Sequence, residues 1–257
     1  EHIMTILPRD RGVLLHDILY DFFSQLRTAN RLPLATQRLP ELQTLLRHVS
    51  EEHFSRFARR RPVGLPLLWE MEREQLSRRL QAFLKRDYGE VGFCPEAFEV
   101  QFGLGDEETE KVAAHFFPSQ SIPFTLDTGE DVQLRGRIDR IDVDHKQNCA
   151  RILDYKTGKA PSGCFAGGTA LQLSLYLFAA QYLRPDLSWV SSEYTSVDGS
   201  AQTQKSVFPL ETLTSALGTL RTIVTRLAEG ISSGQFFLAP DSCMPCAFPQ
   251  ICTAHGL

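Results

Sequence analysis

The chain has 257 residues, 42% of them hydrophobic and 23% charged, enough to bury one large core or one core with a helical annex. No apolar run reaches membrane-spanning length and the N-terminus lacks a secretory hydrophobic region, so a membrane role is set aside and a cytoplasmic or nucleoid-associated location is expected. A net charge of −4 is unlike a general nucleic-acid coat, although a basic path can still be local.

In chain order, Pro8 to Thr28 reads as a helix in which Leu14, Leu15, Ile18, Leu19, Phe22 and Phe23 form a broad apolar face. Residues from about Leu39 to Lys85 are helical, rich in Leu, Arg and Glu, and broken at Pro62 and Pro66. Strands are expected near 96–103, 121–126, 131–143 and 149–156, where apolar residues alternate or run together between turn formers. A Gly/Ser/Pro-rich loop at 157–168 leads to a helix at 169–183, whose Leu171, Leu175 and Phe178 are expected to face the sheet. A strand at 188–197 turns at Asp198-Gly199 and returns near 203–208, and a helix from Leu210 to Glu229 precedes a cysteine-bearing tail. This order predicts an α/β fold with a central mixed sheet flanked by helices. No internal repeat or low-complexity tract interrupts it.

The most informative stretch is Gly136-Arg137-Ile138-Asp139-Arg140-Ile141-Asp142, followed a hairpin's length later by Ile152-Leu153-Asp154-Tyr155-Lys156-Thr157-Gly158. Side chains on a strand alternate faces, so Asp154 and Lys156 project from one face and Leu153 and Tyr155 from the other. A phosphodiester is anionic and poorly electrophilic. A hard cation held by carboxylates such as Asp139 and Asp154 neutralises developing charge and acidifies a bound water, while Lys156 orients that water or takes its proton. Asp142 lies three residues beyond Asp139, hence on the opposite face, and reads as structural, paired with Arg140 or Arg151.

The Asp, then Asp-x-Lys order with its hydrophobic lead-ins resembles the PD-(D/E)XK nuclease superfamily, and its wording resembles the RecB/AddB branch. Three further segments resemble that branch in the expected order: Gly12-Val13-Leu14-Leu15-His16 near the start, Gln172-Leu173-Ser174-Leu175-Tyr176, and Cys243-Met244-Pro245-Cys246 with Cys252. The resemblance implies a restriction-endonuclease-like core with an N-terminal helical insertion: a helical part at about 8–90, a catalytic sheet at about 91–235 and a cysteine tail at 236–257. It implies a DNA exonuclease acting in double-strand-break repair beside a helicase domain or subunit, on single-stranded ends. Mg²⁺ or Mn²⁺ would be held by His16, Asp139, Asp154 and the Tyr155 carbonyl, with Lys156 serving the water and Gln172 and Tyr176 contacting the DNA backbone or bracing the site. Glu99, in an alternating strand where related nucleases carry a Glu, either touches a metal-bound water or Lys156, or faces solvent.

Six cysteines in such a chain argue against a disulfide framework, and Cys94, Cys149 and Cys164 are scattered as incidental thiols are. In the family three late cysteines join one early cysteine around a 4Fe-4S cluster, and no Cys precedes Cys94 here, so the sequence reads as a piece of a longer protein or as a site with another ligand. Zinc on Cys243, Cys246, Cys252 and His255 is the alternative, and free reduced thiols are the third.

For a DNA path the arginines Arg56, Arg59, Arg60, Arg61, Arg73, Arg78, Arg79 and Arg86 with Lys85 stand out, against a solvated face paired with Glu70, Glu72 and Glu74. Two rival functions remain open: a CRISPR-adaptation-type nuclease of the same superfamily, which also has one early and three late cysteines, and a non-catalytic DNA-end or protein-docking module. The intact Asp139, Asp154 and Lys156 speak against the second.

Overall fold

The structure is a computed structural model that describes residues 5–34, 39–88, 92–103, 116–118, 120–158, 165, 168, 170–197 and 206–235. Three helices come first: α1 (Pro8–Thr28), α2 (Leu39–Arg60) and α3 (Pro66–Tyr88). Pro8 starts α1 where its missing N–H costs nothing, and Asp10 and Arg27 complement the dipole at its two ends. The helical stretch is a pair separated at 61–65, in keeping with the breaks expected at Pro62 and Pro66, and Pro66 begins α3. The α1 stripe of Leu14, Leu15, Ile18, Leu19, Phe22, Phe23 and Leu26 is buried, at about 1.5–3 kcal/mol for each large side chain.

The strands are β1 (Cys94–Phe102), β2 (Ile122–Thr125), β3 (Asp131–Leu134), β4 (Gly136–Asp144), β5 (Cys149–Lys156), β6 (Ser188–Ser196) and β7 (Ser206–Pro209), with α4 (Gln172–Leu183) between β5 and β6 and α5 (Leu210–Ser232) after β7. Among the described residues the main sheet runs β1-β4-β5-β6-β7, and β2 pairs with β3 in a separate hairpin. Among the described strands only the β5–β6 pair is parallel, the crossover being made through α4. The single strand expected over 131–143 is therefore two, because the chain leaves the hairpin at Arg135 before entering the sheet. Gly103 explains the tight approach there: its φ is +70°, and a Cβ would stand 1.9 Å from the Leu134 carbonyl oxygen. The Asp198-Gly199 turn lies outside the described residues.

Two apolar clusters sandwich the sheet. One gathers α1, α2 and α3 with Phe98, Tyr155 and Val197, and the other gathers α4, α5 and the β2–β3 hairpin with Val100, Ile138, Ile141 and Ile152. The expected orientation of α4 needs correction. Its buried residues are Leu173, Ser174, Leu177, Ala179, Ala180 and Leu183, and the Leu173 carbonyl accepts from Ser192 of β6, whereas Leu171, Leu175 and Phe178 are partly buried on another side. Phe178 meets Phe124 of the hairpin at 5.0 Å between ring centroids. The helix is apolar nearly all round because it is covered on more than one side, and such a helix has no periodicity that singles out one face.

A buried ionic network ties the helical layer to the sheet. Arg140 is 2% exposed; it donates to both carboxylate oxygens of Asp87 at the end of α3, at 2.8 and 3.0 Å, and to Asp142. Arg151 donates to the same Asp142 at 3.0 Å, so Asp142 pairs with both arginines considered for it. The Arg140 guanidinium also lies 4.7 Å from the Phe23 ring of α1. Removing Arg140 would leave Asp87 and Asp142 buried with too little positive charge. Arg140→Ala is expected to lower unfolding free energy by about 3–5 kcal/mol, read as a drop in the urea midpoint at unchanged slope; a midpoint equal to wild type would show that the network does not hold the layers together.

Candidate active site

Period-two alternation slips where β1 faces β4 beside the candidate site. Phe98 packs into the helical cluster, yet Val100, two residues on, packs into the other; Arg140 and Ile138, their partners on β4, do the same. Between them sit Glu99, with a left-handed φ of +49°, and Asp139. A non-glycine residue in that region is strained, and the slip turns both carboxylates toward one spot. β4 and β5 also part here, since the last paired residues are Arg140 and Leu153. The Tyr155 N–H is taken instead by the side chain of Asp139, at 2.7 Å to Oδ2.

His16 enters from α1. Its Nε2 donates to the Tyr155 carbonyl oxygen at 3.2 Å, and its Nδ1 faces Asp139 Oδ1 at 3.3 Å and Glu99 Oε1 at 3.5 Å. Burial works against a charged ring, but hydrogen bonds and charge from Asp139 and Glu99 outweigh it and push the imidazole up to about 10. Arg137 holds the other oxygen of Glu99 at 2.9 Å from the rim. Glu99 thus has His16 and Arg137 as partners, rather than Lys156 or solvent.

Asp154 and Lys156 stand side by side on one face of β5 as an ion pair. Burial first, then the charge of Asp139, pushes the Asp154 carboxyl up to about 6, with Lys156 and His16 pulling the other way. Gln172, the first residue of α4, joins the set together. Its Nε2 donates to Asp154 Oδ1 at 2.6 Å and to the Tyr176 hydroxyl at 2.9 Å, and its Oε1 accepts from Lys156 at 2.9 Å. Tyr176, one helical turn on, is edge-on to Phe102 at 5.9 Å, and its phenol is pushed up to about 12, mainly by burial. The Phe102 ring lies over Gly136: a Cβ there would meet it at 2.5 Å, which accounts for the glycine of the Gly-Arg-Ile-Asp segment.

The donor set suits a hard divalent ion. Ligand atoms of His16, Glu99 and Asp139 lie within 4.8 Å of one another, and the Tyr155 carbonyl is in reach of His16. Asp154 stands next to this trio rather than in it. Burial and the neighbouring Asp139 charge both disfavour the ionised Asp154 carboxyl, and a cation bound beside it would favour that form.

Cys243, Cys246, Cys252 and His255 lie outside the described residues. Of the arginines considered for a DNA path, Arg61 pairs with Asp10 of α1, Arg73 with Glu51 of α2, and Arg86 donates to the Ser196 carbonyl. Glu72 pairs with Arg11 of α1 rather than with those arginines. One neighbour of the site escaped the sequence reading: Tyr194 of β6, whose ring is 4.8 Å from Lys156 Nζ. Only the parallel β5–β6 register, which sets Tyr194 beside Asp154, points to it.

A family model described as the PD-(D/E)XK nuclease superfamily matches residues 4–253. The chain is also 40% identical over 91 residues to a subunit of the ATP-dependent helicase/deoxyribonuclease of Desulforudis audaxviator (strain MP104C), a stretch that covers 34% of this chain and 7% of that protein's length. No described helix is long and apolar enough to cross a membrane.

Titrating Mn²⁺ or Mg²⁺ into the metal-free protein is expected to give a saturable rise in Tm, worth about 2.7 kcal/mol at a hundred times Kd. The rise should vanish in Asp139→Ala and shrink in Glu99→Gln. An equal rise in Asp139→Ala would place the ion elsewhere.

Proposed function

This chain belongs to the PD-(D/E)XK nuclease superfamily, with a restriction-endonuclease-like mixed sheet flanked by helices, and we propose that it is a Mg²⁺- or Mn²⁺-dependent deoxyribonuclease working on DNA ends. That it is a nuclease follows from the family. The observation that supports the metal-dependent reading is the meeting of Asp139, Asp154, Lys156 and His16 where β4 and β5 part.

The metal would be held by His16, Asp139, Glu99 and the Tyr155 carbonyl, with Asp154 beside them. Bound there, it would neutralise charge on the phosphate and acidify a water. The chain's own residues do the rest. Lys156 directs its ammonium at the attacking water or the charge that develops on phosphorus. Asp154 and Gln172 fix that ammonium from two sides. Gln172 in turn keeps the Tyr176 hydroxyl turned toward the site, where the pair can meet the DNA backbone. His16 bridges the Tyr155 carbonyl and Asp139, holding the parted strands in register. Hydrolysis by water needs no covalent enzyme intermediate.

The finer reading is exonucleolytic use on single-stranded ends in double-strand-break repair, beside a helicase domain or subunit of a longer protein. It is supported by the name of the matched relative and by the early His and late cysteines of the sequence. In that setting α1–α3, the sheet and the cysteine tail form one nuclease unit, nucleoid-associated, with Cys243, Cys246 and Cys252 binding an iron–sulfur cluster or zinc.

The test is degradation of end-labelled single-stranded DNA with Mg²⁺ or Mn²⁺ and an EDTA control. Lys156→Ala and Asp154→Ala are each expected to lower the rate by about 10²–10⁴-fold. Cleavage that persists in both variants would remove the site from the mechanism, and a folded wild type that binds DNA without cutting it would favour a docking module.

A further inference from the structure

We propose that Tyr194 is a positioning residue for Lys156: the face of its ring, and not its hydroxyl, holds the ammonium on the reacting side of the strand edge. The inference rests on the role given to Lys156 above.

β5 and β6 run parallel, with Tyr194 in register with Asp154 and Ser196 in register with Lys156. Tyr194 is 4% exposed, and Lys156 Nζ stands 4.8 Å from the centroid of its ring. Two polar groups also face the ammonium, the Asp154 carboxylate and Gln172 Oε1. Both have other work. Asp154 lies beside the candidate metal ligands, and Gln172 also binds Asp154 and Tyr176.

An ammonium on a four-carbon stem with many rotamers needs a surface that stays in place when Asp154 gives part of its charge to a cation. An aromatic face offers this. Its quadrupole attracts the ammonium, the attraction strengthens as water leaves the site, and the ring has no charge that substrate phosphate could repel or a metal could claim. An aliphatic side chain would fill the same volume without the negative face.

The experiment compares Tyr194→Leu and Tyr194→Phe in the metal-dependent single-strand assay, at temperatures well below each variant's Tm. Tyr194→Leu is expected to lower kcat about tenfold with KM nearly unchanged, and Tyr194→Phe to restore it. In a Lys156→Ala background Tyr194→Leu should add nothing. A second readout is independent of activity. The sequence has six lysines, so reductive ¹³C-methylation gives few resonances, and Lys156 is assigned by its loss in Lys156→Arg. Its methyl signal should be shifted by the ring current in wild type and Tyr194→Phe, and return to the exposed-lysine position in Tyr194→Leu. Equal losses in Phe and Leu, or an unshifted wild-type signal, would overturn the inference. A wild type that cleaves, with Tyr194→Leu just as fast, overturns this inference alone. A folded wild type that cuts nothing overturns the nuclease reading, and with it the catalytic use of the ring.

Discussion

Asp139 and Asp154 are 8% and 2% exposed, and burying two carboxylates side by side is the constraint around which the rest of the site is built. Like charges in a dry environment are tolerated only where fixed positive groups or donors surround them. Each neighbouring element contributes. α1 brings His16, β5 brings Lys156 and the Tyr155 N–H, and α4 brings Gln172. The helix, strand and crossover helix that carry the family's sequence marks are thus also the three sources of compensation.

The parallel β5–β6 pair explains why these groups meet at one end of the sheet. A strand that exits toward its C-terminal edge and a crossover helix that starts at that same edge bring Lys156 and Gln172 within hydrogen-bonding distance, though sixteen residues separate them. The other layer arrives by a different route. His16 comes from a helix buried against Phe98 and Tyr155, and the gap where β4 and β5 part lets it reach the Tyr155 carbonyl.

Much of this was legible from local periodicity. Period two is enough to put Asp154 and Lys156 together and to turn Asp142 away, and a four-residue spacing stacks Gln172 and Tyr176. Helix α1 has the bounds its Pro8 and apolar stripe announce. The remainder depends on contacts that no short window contains. The break at Arg135 follows from pairing between β2 and β3, and the α4 orientation from a hairpin covering a helix that is apolar nearly all round. Glu99 could be named but not placed, because its left-handed backbone violates the very alternation used to read strands. Tyr194 hides because β6 contacts β5 only after a helix has intervened.

Arg140 adds a dynamic consequence. The strand that turns Asp139 toward the site turns Arg140 the other way, into Asp87 of α3 and the ring of Phe23 of α1. The helical layer cannot swing out as a hinged lid without stripping a buried guanidinium of its partners and disturbing the adjacent carboxylate of the candidate site. Movement of the helices as a body is therefore coupled to the candidate site through Arg140, and a change that loosens one layer is felt in the other.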